Sequence, residues 1–160
     1  SLLFGLSGAF GPNSTGRDNR TEVYAADFYL KYRPLARDSA GWIALQSEWF
    51  YRRRQVPEDV LWDVTGYAQG VYRFLERWSA AVRYEFGSPA RGGHSETVVD
   101  PLDPEWEDPR TRISANVTHY PTEFSRFRLQ GSRDAGFETP VWALFCAAEL
   151  VIGAHGAHPF

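Results

Sequence analysis

Residues 21–35 read TEVYAADFYLKYRPL, and their side chains alternate between apolar and polar with a period of two. Even-numbered residues from Tyr24 to Tyr32 are apolar or aromatic, whereas the odd-numbered residues from Asp27 to Arg33 carry a charge or a hydroxyl group. Successive side chains of a β-strand point to opposite faces, so this pattern predicts a strand with one apolar and one polar face. Tyrosines stand near both ends of the apolar face.

The same alternation recurs along the chain and predicts eight antiparallel strands, each near the ~9–11 residues that a tilted strand needs to cross a bilayer. The predicted strands are Leu2–Gly11, Thr21–Leu35, Gly41–Arg53, Asp63–Leu75, Trp78–Gly87, Arg110–Tyr120, Ser125–Asp134 and a last strand that starts at Pro140. Short turns are expected at 75–77 and 120–124, and longer loops at 11–20, 53–62 and 88–109. Alternation of short turns and long loops is typical of outer-membrane barrels.

The composition combines a polar average with many aromatic rings. Mean hydropathy is −0.41, yet aromatic residues make up 16% of the chain. No run of about 18 apolar residues occurs, so no transmembrane helix is predicted. A net charge of −3 gives no reason to expect nucleic acid as a partner. The single cysteine, Cys146, excludes an internal disulfide bond.

Alternation alone does not say which face points outward, because a soluble lipocalin-like barrel gives the same pattern with the apolar face inside. Two features favour a membrane. Aromatic residues stand at the ends of the apolar faces, and small residues such as Gly66, Ala68 and Gly70 lie between them. Rings at both interfaces are typical of membrane barrels. We therefore predict an all-β, antiparallel up-and-down transmembrane β-barrel whose apolar face contacts lipid.

The last predicted strand resembles the assembly signal of bacterial outer-membrane proteins. Leu150, Ile152 and the terminal Phe160 are even-numbered and belong to the apolar face of the strand, as that signal requires. Gly156 and His158 are also even-numbered but depart from the apolar or aromatic residues of the signal. The stretches 120–130 and 153–160 are similar to Gram-negative barrels described as porin-like or as zinc-regulated, TonB-dependent-receptor-like proteins. This resemblance implies a location in the bacterial outer membrane, contact with the lipid bilayer, and recognition by the barrel-assembly machinery. It also implies that the chain is the C-terminal portion of a larger barrel.

The polar faces of the predicted strands carry charged side chains that a barrel would turn toward its lumen. The expected lumen-lining residues are Lys31, Arg33, Glu48, Arg52, Arg73, Arg83, Glu85, Arg112, Arg126, Arg128 and Glu149. In one interpretation the arginines attract anions into a water-filled pore. In the other they pair with acids across strands and fill a narrow lumen, as an isolated eight-stranded barrel would require.

The pair His155 and His158 is a weak candidate for Zn²⁺, because no third ligand stands nearby in sequence. We expect no catalytic residues and no cofactor, since no nucleophile-elbow, zinc-protease, phosphate-loop or dinucleotide motif occurs. The expected function is passage of small solutes across the outer membrane, in the manner of a porin with a preference for anions.

Three alternatives remain open at this point. One is a TonB-dependent receptor barrel with its plug domain and its contact with the TonB system upstream of this sequence. Another is a soluble lipocalin-like binding module. The third is an eight-stranded structural or adhesion barrel.

Overall fold

The computed structural model describes residues 1–34, 41–93, 100–102, 108–136 and 139–151. Within these ranges the chain forms nine antiparallel strands. They are β1 (Leu2–Pro12), β2 (Arg20–Tyr32), β3 (Trp42–Val56), β4 (Asp59–Leu75), β5 (Trp78–Gly87), β6 (Arg91–Gly92), β7 (Arg110–Thr122), β8 (Ser125–Asp134) and β9 (Val141–Leu150). The strand order is β1-β2-β3-β4-β5-β7-β8-β9, and β6 pairs with β4 beyond the end of β5.

The prediction of an all-β antiparallel up-and-down sheet is therefore confirmed. Closure into a barrel is not observed within the described residues, where β1 pairs only with β2 and β9 only with β8. Both edge strands expose apolar side chains on both of their faces, as Leu2, Leu3, Leu144 and Phe145 illustrate. The open edges β1 and β9 are thus apolar as well as unpaired.

The two ends of the sheet differ in their connections. The turn end carries the tight turns at Glu76–Arg77 and Glu123–Phe124, whereas the loop end carries the connections that leave Pro12, β6 and Asp134. The prediction of a long loop at 53–62 was wrong. Instead, β3 continues to Val56 and β4 begins at Asp59, with a two-residue turn between them. The three consecutive arginines 52–54 interrupt the alternation of apolar and polar residues there. Arg53 lies on the otherwise apolar face, where it forms an ion pair with Glu22.

The turn between β3 and β4 contains a strained residue. Glu58 has a φ of 71°, and no other residue of the described chain, glycine included, has a positive φ. Pro57 precedes it and fixes its own φ near −65°. A proline followed by a left-handed residue is the usual composition of a type II turn, in which glycine is preferred at the second position.

Replacement of Glu58 by glycine is expected to raise the free energy of unfolding by up to about 1 kcal/mol, because a left-handed backbone costs other residues about 1–2 kcal/mol and glycine's greater freedom in the unfolded chain offsets part of the gain. The midpoint of urea unfolding measures the change. Glu76→Gly is the matched control, since Glu76 lies in a turn without positive φ. It is expected to lower stability, and a shift of both variants in the same direction would contradict the assignment of strain to Glu58.

The register aligns the alternating side chains of neighbouring strands into two continuous faces. The outer face bears large apolar side chains that are solvent-exposed, with 37% for Phe28, 46% for Leu45 and 54% for Val82. The inner face bears most of the polar side chains, among which Thr118, Ser114 and Ser132 are buried. The buried hydrophobic residues of the described chain also lie on this face, but they are small or sit near the loop end: Ala44, Val56, Leu61 and Ala81. A soluble barrel would bury its large apolar side chains and expose its polar ones.

Candidate functional site

The inner face of β4, β5, β7, β8 and β9 lines one cavity of about 530 Å³, here called the polar trough. Alternate residues of each strand reach it, as strand geometry requires. Because one face of five neighbouring strands encloses a single cavity, the sheet is concave on this face. Its polar and charged lining consists of Gln69, Ser79, Arg83, Glu85, Arg112, Ser114, Asn116, Thr118, Tyr120, Arg128, Gln130, Ser132 and Asp134. Near the β9 edge the lining becomes apolar through Val141, Ala143 and Phe145.

Charged side chains cross the trough as a chain of ion pairs near the loop end. Arg83 Nη2 lies 3.0 Å from Glu85 Oε1, and Arg112 Nη1 lies 4.0 Å from the other oxygen of Glu85. Arg112 also donates through Nε to Asp134 Oδ2 at 2.9 Å. The Arg83 guanidinium carbon lies 3.7 Å from the centre of the Tyr67 ring, and Gln46 Nε2 donates to the Tyr67 hydroxyl at 2.8 Å. These contacts hold the arginines against the wall of the trough.

Arg128 differs from the other two arginines that line the polar trough. Its Nε donates to Thr118 Oγ1 at 3.2 Å, and no ion pair with an acid is described for it. Thr118 is only 1% exposed, so this bond fixes the guanidinium group over the floor of the trough. Three arginines therefore line the cavity, Arg83, Arg112 and Arg128, against the two acids Glu85 and Asp134. The net formal charge of the lining is positive.

The remaining charged residues that the sequence singles out also lie on the inner side, but outside the polar trough. Arg126 and Glu149 form an ion pair of 2.5 Å near the turn end. Lys31, Arg33 and Arg73 line a separate cavity at the turn end, and Glu48 lines another together with Arg83, Glu85 and Arg112. Lys31 Nζ lies 4.6 Å from the centre of a Trp42 ring, and the guanidinium carbon of Arg73 lies 5.6 Å from the centre of the Tyr120 ring.

A buried charged cluster occupies the inner face at the loop end. Arg52 donates through Nε to Asp63 Oδ2 at 2.8 Å, and its Nη2 is equally close to the same oxygen. Arg54 pairs with Asp100, and both side chains are almost fully buried. Leu61, at 0% exposure, is the most buried apolar side chain of the described residues. Sequence reasoning found Arg52 but missed Arg54, Asp63 and Asp100. Asp63 lies two residues before Thr65 on β4, and this spacing could have placed it on the polar face. No local pattern links Arg54 to Asp100.

The outer face carries two aromatic rows. Near the loop end, ring centres are 5.5 Å apart for Phe10 and Tyr24, 6.3 Å for Tyr24 and Tyr51, and 6.4 Å for Tyr51 and Trp62. Near the turn end, the rings of Tyr72 and Phe74 lie 6.1 Å apart, and Trp78 stacks on His119 at 4.3 Å. On β2, Tyr24 and Tyr32 are separated by eight residues, or about 26 Å along the strand at about 3.3 Å per residue. The exposed apolar band lies between these rows.

The expected assembly signal is only partly covered by the structure. Leu150 ends β9 on the outer face and is 71% exposed, whereas Ile152 and Phe160 lie outside the described residues. The histidines 155 and 158 also lie outside them. Within the described chain, no group of three or more His, Cys, Asp or Glu side chains could hold a metal ion. Among the same residues, no helix is long and apolar enough to cross a membrane.

Comparison with known proteins gives a distant relative. The chain is 30% identical, over an alignment 183 positions long, to an uncharacterized protein of Aquifex aeolicus (strain VF5). The alignment covers all of this chain but 37% of that protein, so the chain spans little more than a third of its relative's length. No protein-family model and no solved structure matches the chain.

Proposed function

We propose that this chain is part of a bacterial outer-membrane β-barrel that lets small solutes pass through a polar lumen, with a preference for anions. The observation that carries the proposal is the distribution of side chains, because large apolar groups are exposed on the outer face while polar ones line the trough. Water disfavours so broad an apolar surface, and soluble monomers rarely expose contiguous apolar patches beyond a few hundred Å². A lipid bilayer accommodates it at no such cost.

The aromatic rows support the same proposal. Tyrosine and tryptophan favour the boundary between hydrocarbon and head groups, and membrane barrels carry such rows on both sides of an apolar band about 25 Å tall. Here the charged strand residues of the outer face all lie at the loop end: Arg20, Glu22, Arg53, Arg91 and Arg133. The band between the rows is uncharged, as hydrocarbon requires.

The open edges of β1 and β9 require partners in a membrane. Unpaired backbone N–H and C=O groups are costly in hydrocarbon, so a sheet spans it only as a closed barrel. We propose that strands of the same polypeptide outside these 160 residues complete the barrel. The greater length of the Aquifex relative supports this view. In such a barrel the β9 strand, with Leu150, would be presented to the barrel-assembly machinery.

Passage through the lumen would need no covalent chemistry and no cofactor. The ion pairs from Arg83 to Asp134 leave little excess charge along that part of the wall. Arg128 is the arginine of the trough that has a neutral partner, so we assign to it the largest share of the anion preference. Rings of like charge on a lumen wall set ion selectivity through their field at short range.

Arg128→Glu is expected to shift the preference of the channel from anions toward cations. The reversal potential in a KCl gradient, measured on the intact protein in a planar bilayer, reports the change directly. Arg133→Glu makes the same change of charge on the same strand but on the outer face, away from the trough, and is expected to leave the reversal potential near its original value. Equal shifts in both variants, or none in Arg128→Glu, would contradict the assignment of Arg128 to the pore wall.

A further inference from the structure

Three arginines stand together on the outer face at the loop end. Arg53 lies opposite Trp62 in the pairing of β3 with β4, and Arg91 lies opposite Trp62 on the other side. Arg20, at the start of β2, shares this face with Arg53. Arg20 and Arg53 lie nearer the loop end than Tyr24 and Tyr51 on their own strands, whereas Arg91 is level with Trp62 of the aromatic row. All three arginines therefore lie just beyond the apolar band.

A single acid organises two of these arginines. Glu22 Oε1 lies 3.0 Å from Arg20 Nε, and Glu22 Oε2 lies 3.2 Å from Arg53 Nη1. The Tyr24 hydroxyl also donates to Glu22 Oε2 at 3.3 Å. The side chain of Glu22 is 10% exposed and that of Arg20 is 60% exposed. The acid thus lies beneath the guanidinium groups, and the surface presents positive charge.

Arg91 extends the same surface across Trp62. Its guanidinium carbon lies 5.5 Å from the centre of the Trp62 ring, within the range of a cation–π contact. Among the described residues of this surface, three arginines stand against one acid and leave a positive patch that borders the exposed apolar band. At the turn end, the described strand residues of the outer face include no lysine or arginine. The positive charge is therefore confined to one rim of the band.

We propose that Arg20, Arg53 and Arg91 form a docking surface for the phosphate head group of an anionic lipid in the leaflet at the loop end. Guanidinium groups donate paired hydrogen bonds to phosphate oxygens, and arginine prefers such planar, bidentate partners. The acyl chains of the same lipid would lie along the apolar band beneath the aromatic row. The inference rests on the proposed membrane location, and its ligand chemistry follows from the charge of the patch.

Native mass spectrometry of the intact protein in detergent tests the inference. The probes are phosphatidic acid and phosphatidylcholine with the same acyl chains, added in equal amounts. The wild-type protein is expected to retain phosphatidic acid roughly tenfold more than phosphatidylcholine, since each basic residue near a membrane surface adds a favourable contribution to anionic lipid binding. Arg20→Gln/Arg53→Gln/Arg91→Gln is expected to retain the two lipids about equally. Arg77→Gln, which removes a positive charge at the turn end, is expected to keep the preference.

Three further variants keep the test decisive if the triple variant fails to fold. Arg20→Gln and Arg91→Gln alter exposed side chains and are each expected to reduce the preference, whereas Glu22→Gln removes the acid and is expected to increase it. Wild-type protein without preference, or a decrease in Glu22→Gln, overturns the inference. Displacement of phosphatidic acid by an equal concentration of inorganic phosphate overturns the assignment to a lipid. In each of these cases a protein that still conducts in bilayers leaves the proposed function intact, whereas a protein that retains neither lipid nor detergent overturns both.

Discussion

Leu45→Arg is expected to lower the free energy of unfolding by about 1–3 kcal/mol in a lipid bilayer, because an arginine on the lipid-facing surface of a membrane barrel costs about 2–4 kcal/mol at mid-depth and about 0–1 kcal/mol at the interfaces. Leu45 lies between these depths, since its neighbour on the same face, Ile43, pairs with Tyr72 of the turn-end row. The same substitution at the next residue, Gln46→Arg, is expected to cost less than about 1 kcal/mol, since the side chain would face a polar interior. Both original side chains are exposed, so burial in the isolated chain does not distinguish the two positions. The two positions differ only if the outer face contacts lipid and not water.

Urea unfolding of the intact protein in phosphatidylcholine vesicles, followed by tryptophan fluorescence, measures both changes. Gln46 donates to the Tyr67 hydroxyl, and an arginine there can stack on the same ring, which limits the loss at this position. Similar small costs for Leu45→Arg and Gln46→Arg would show that the outer face is in water. That result would contradict the membrane proposal and favour a soluble sheet.

Arg52→Gln is expected to lower the free energy of unfolding by about 3 kcal/mol, near the lower bound for removal of one partner of a buried ion pair. The side chain of Asp63 is 2% exposed, whereas that of Arg52 is 28% exposed, so part of the arginine's charge is already screened by solvent. Asp63 Oδ1 has no hydrogen-bond partner among the described residues, so Arg52 supplies the compensation seen for this carboxylate. Its removal leaves a nearly buried negative charge without a neighbouring cation.

Arg126→Gln is the matched control, because Arg126 and Glu149 form a similar cross-strand pair with side chains 42% and 50% exposed. Exposed pairs of this kind contribute about 0–1 kcal/mol. The double variant Arg52→Gln/Asp63→Asn should regain most of the loss, since it removes the unpaired charge as well. Urea midpoints of the three variants provide the comparison. Equal losses in Arg52→Gln and Arg126→Gln would show that burial of Asp63 is not the cause.

The period of two predicts the strands well wherever one face is uniformly apolar. The predicted bounds of β5 and β8 agree with the structure, and β2 and β7 differ by a few residues at their ends. The prediction fails at 53–62, because Arg53 and Glu22 compensate each other on the apolar face and local polarity then imitates a loop. The two-residue strand β6 is too short to carry any period.

Gly66 stands on the apolar face for a reason that the sequence does not reveal. A Cβ atom on Gly66 would lie 2.6 Å from the Glu48 carbonyl oxygen and 2.7 Å from the Trp49 ring. The absence of a side chain at Gly66 therefore makes room for a large ring from the neighbouring strand. Sequence analysis treated this glycine as a sign of the middle of a membrane, whereas its local reason is cross-strand packing. Such pairing depends on register, which becomes visible only once β3 and β4 are aligned.

The candidate site could be predicted in kind but not in arrangement. The alternation of polar and apolar residues places Arg83, Arg112 and Arg128 on one face, and in the structure their side chains line one cavity. The alternation does not show which of these arginines has an acidic partner, because Glu85 and Asp134 reach Arg112 from different strands. Distinguishing Arg128 from the paired arginines requires the distances across β7 and β8.

The pairing of each long strand with its sequence neighbours has a consequence for the way the sheet is made. No long strand must thread between two others that are already joined, because every pairing closes a hairpin between consecutive long strands. The entropy lost on closing such local loops is small, and topologies of low contact order form quickly. Growth can thus proceed one hairpin at a time, with each new strand templated by the backbone of the one before it.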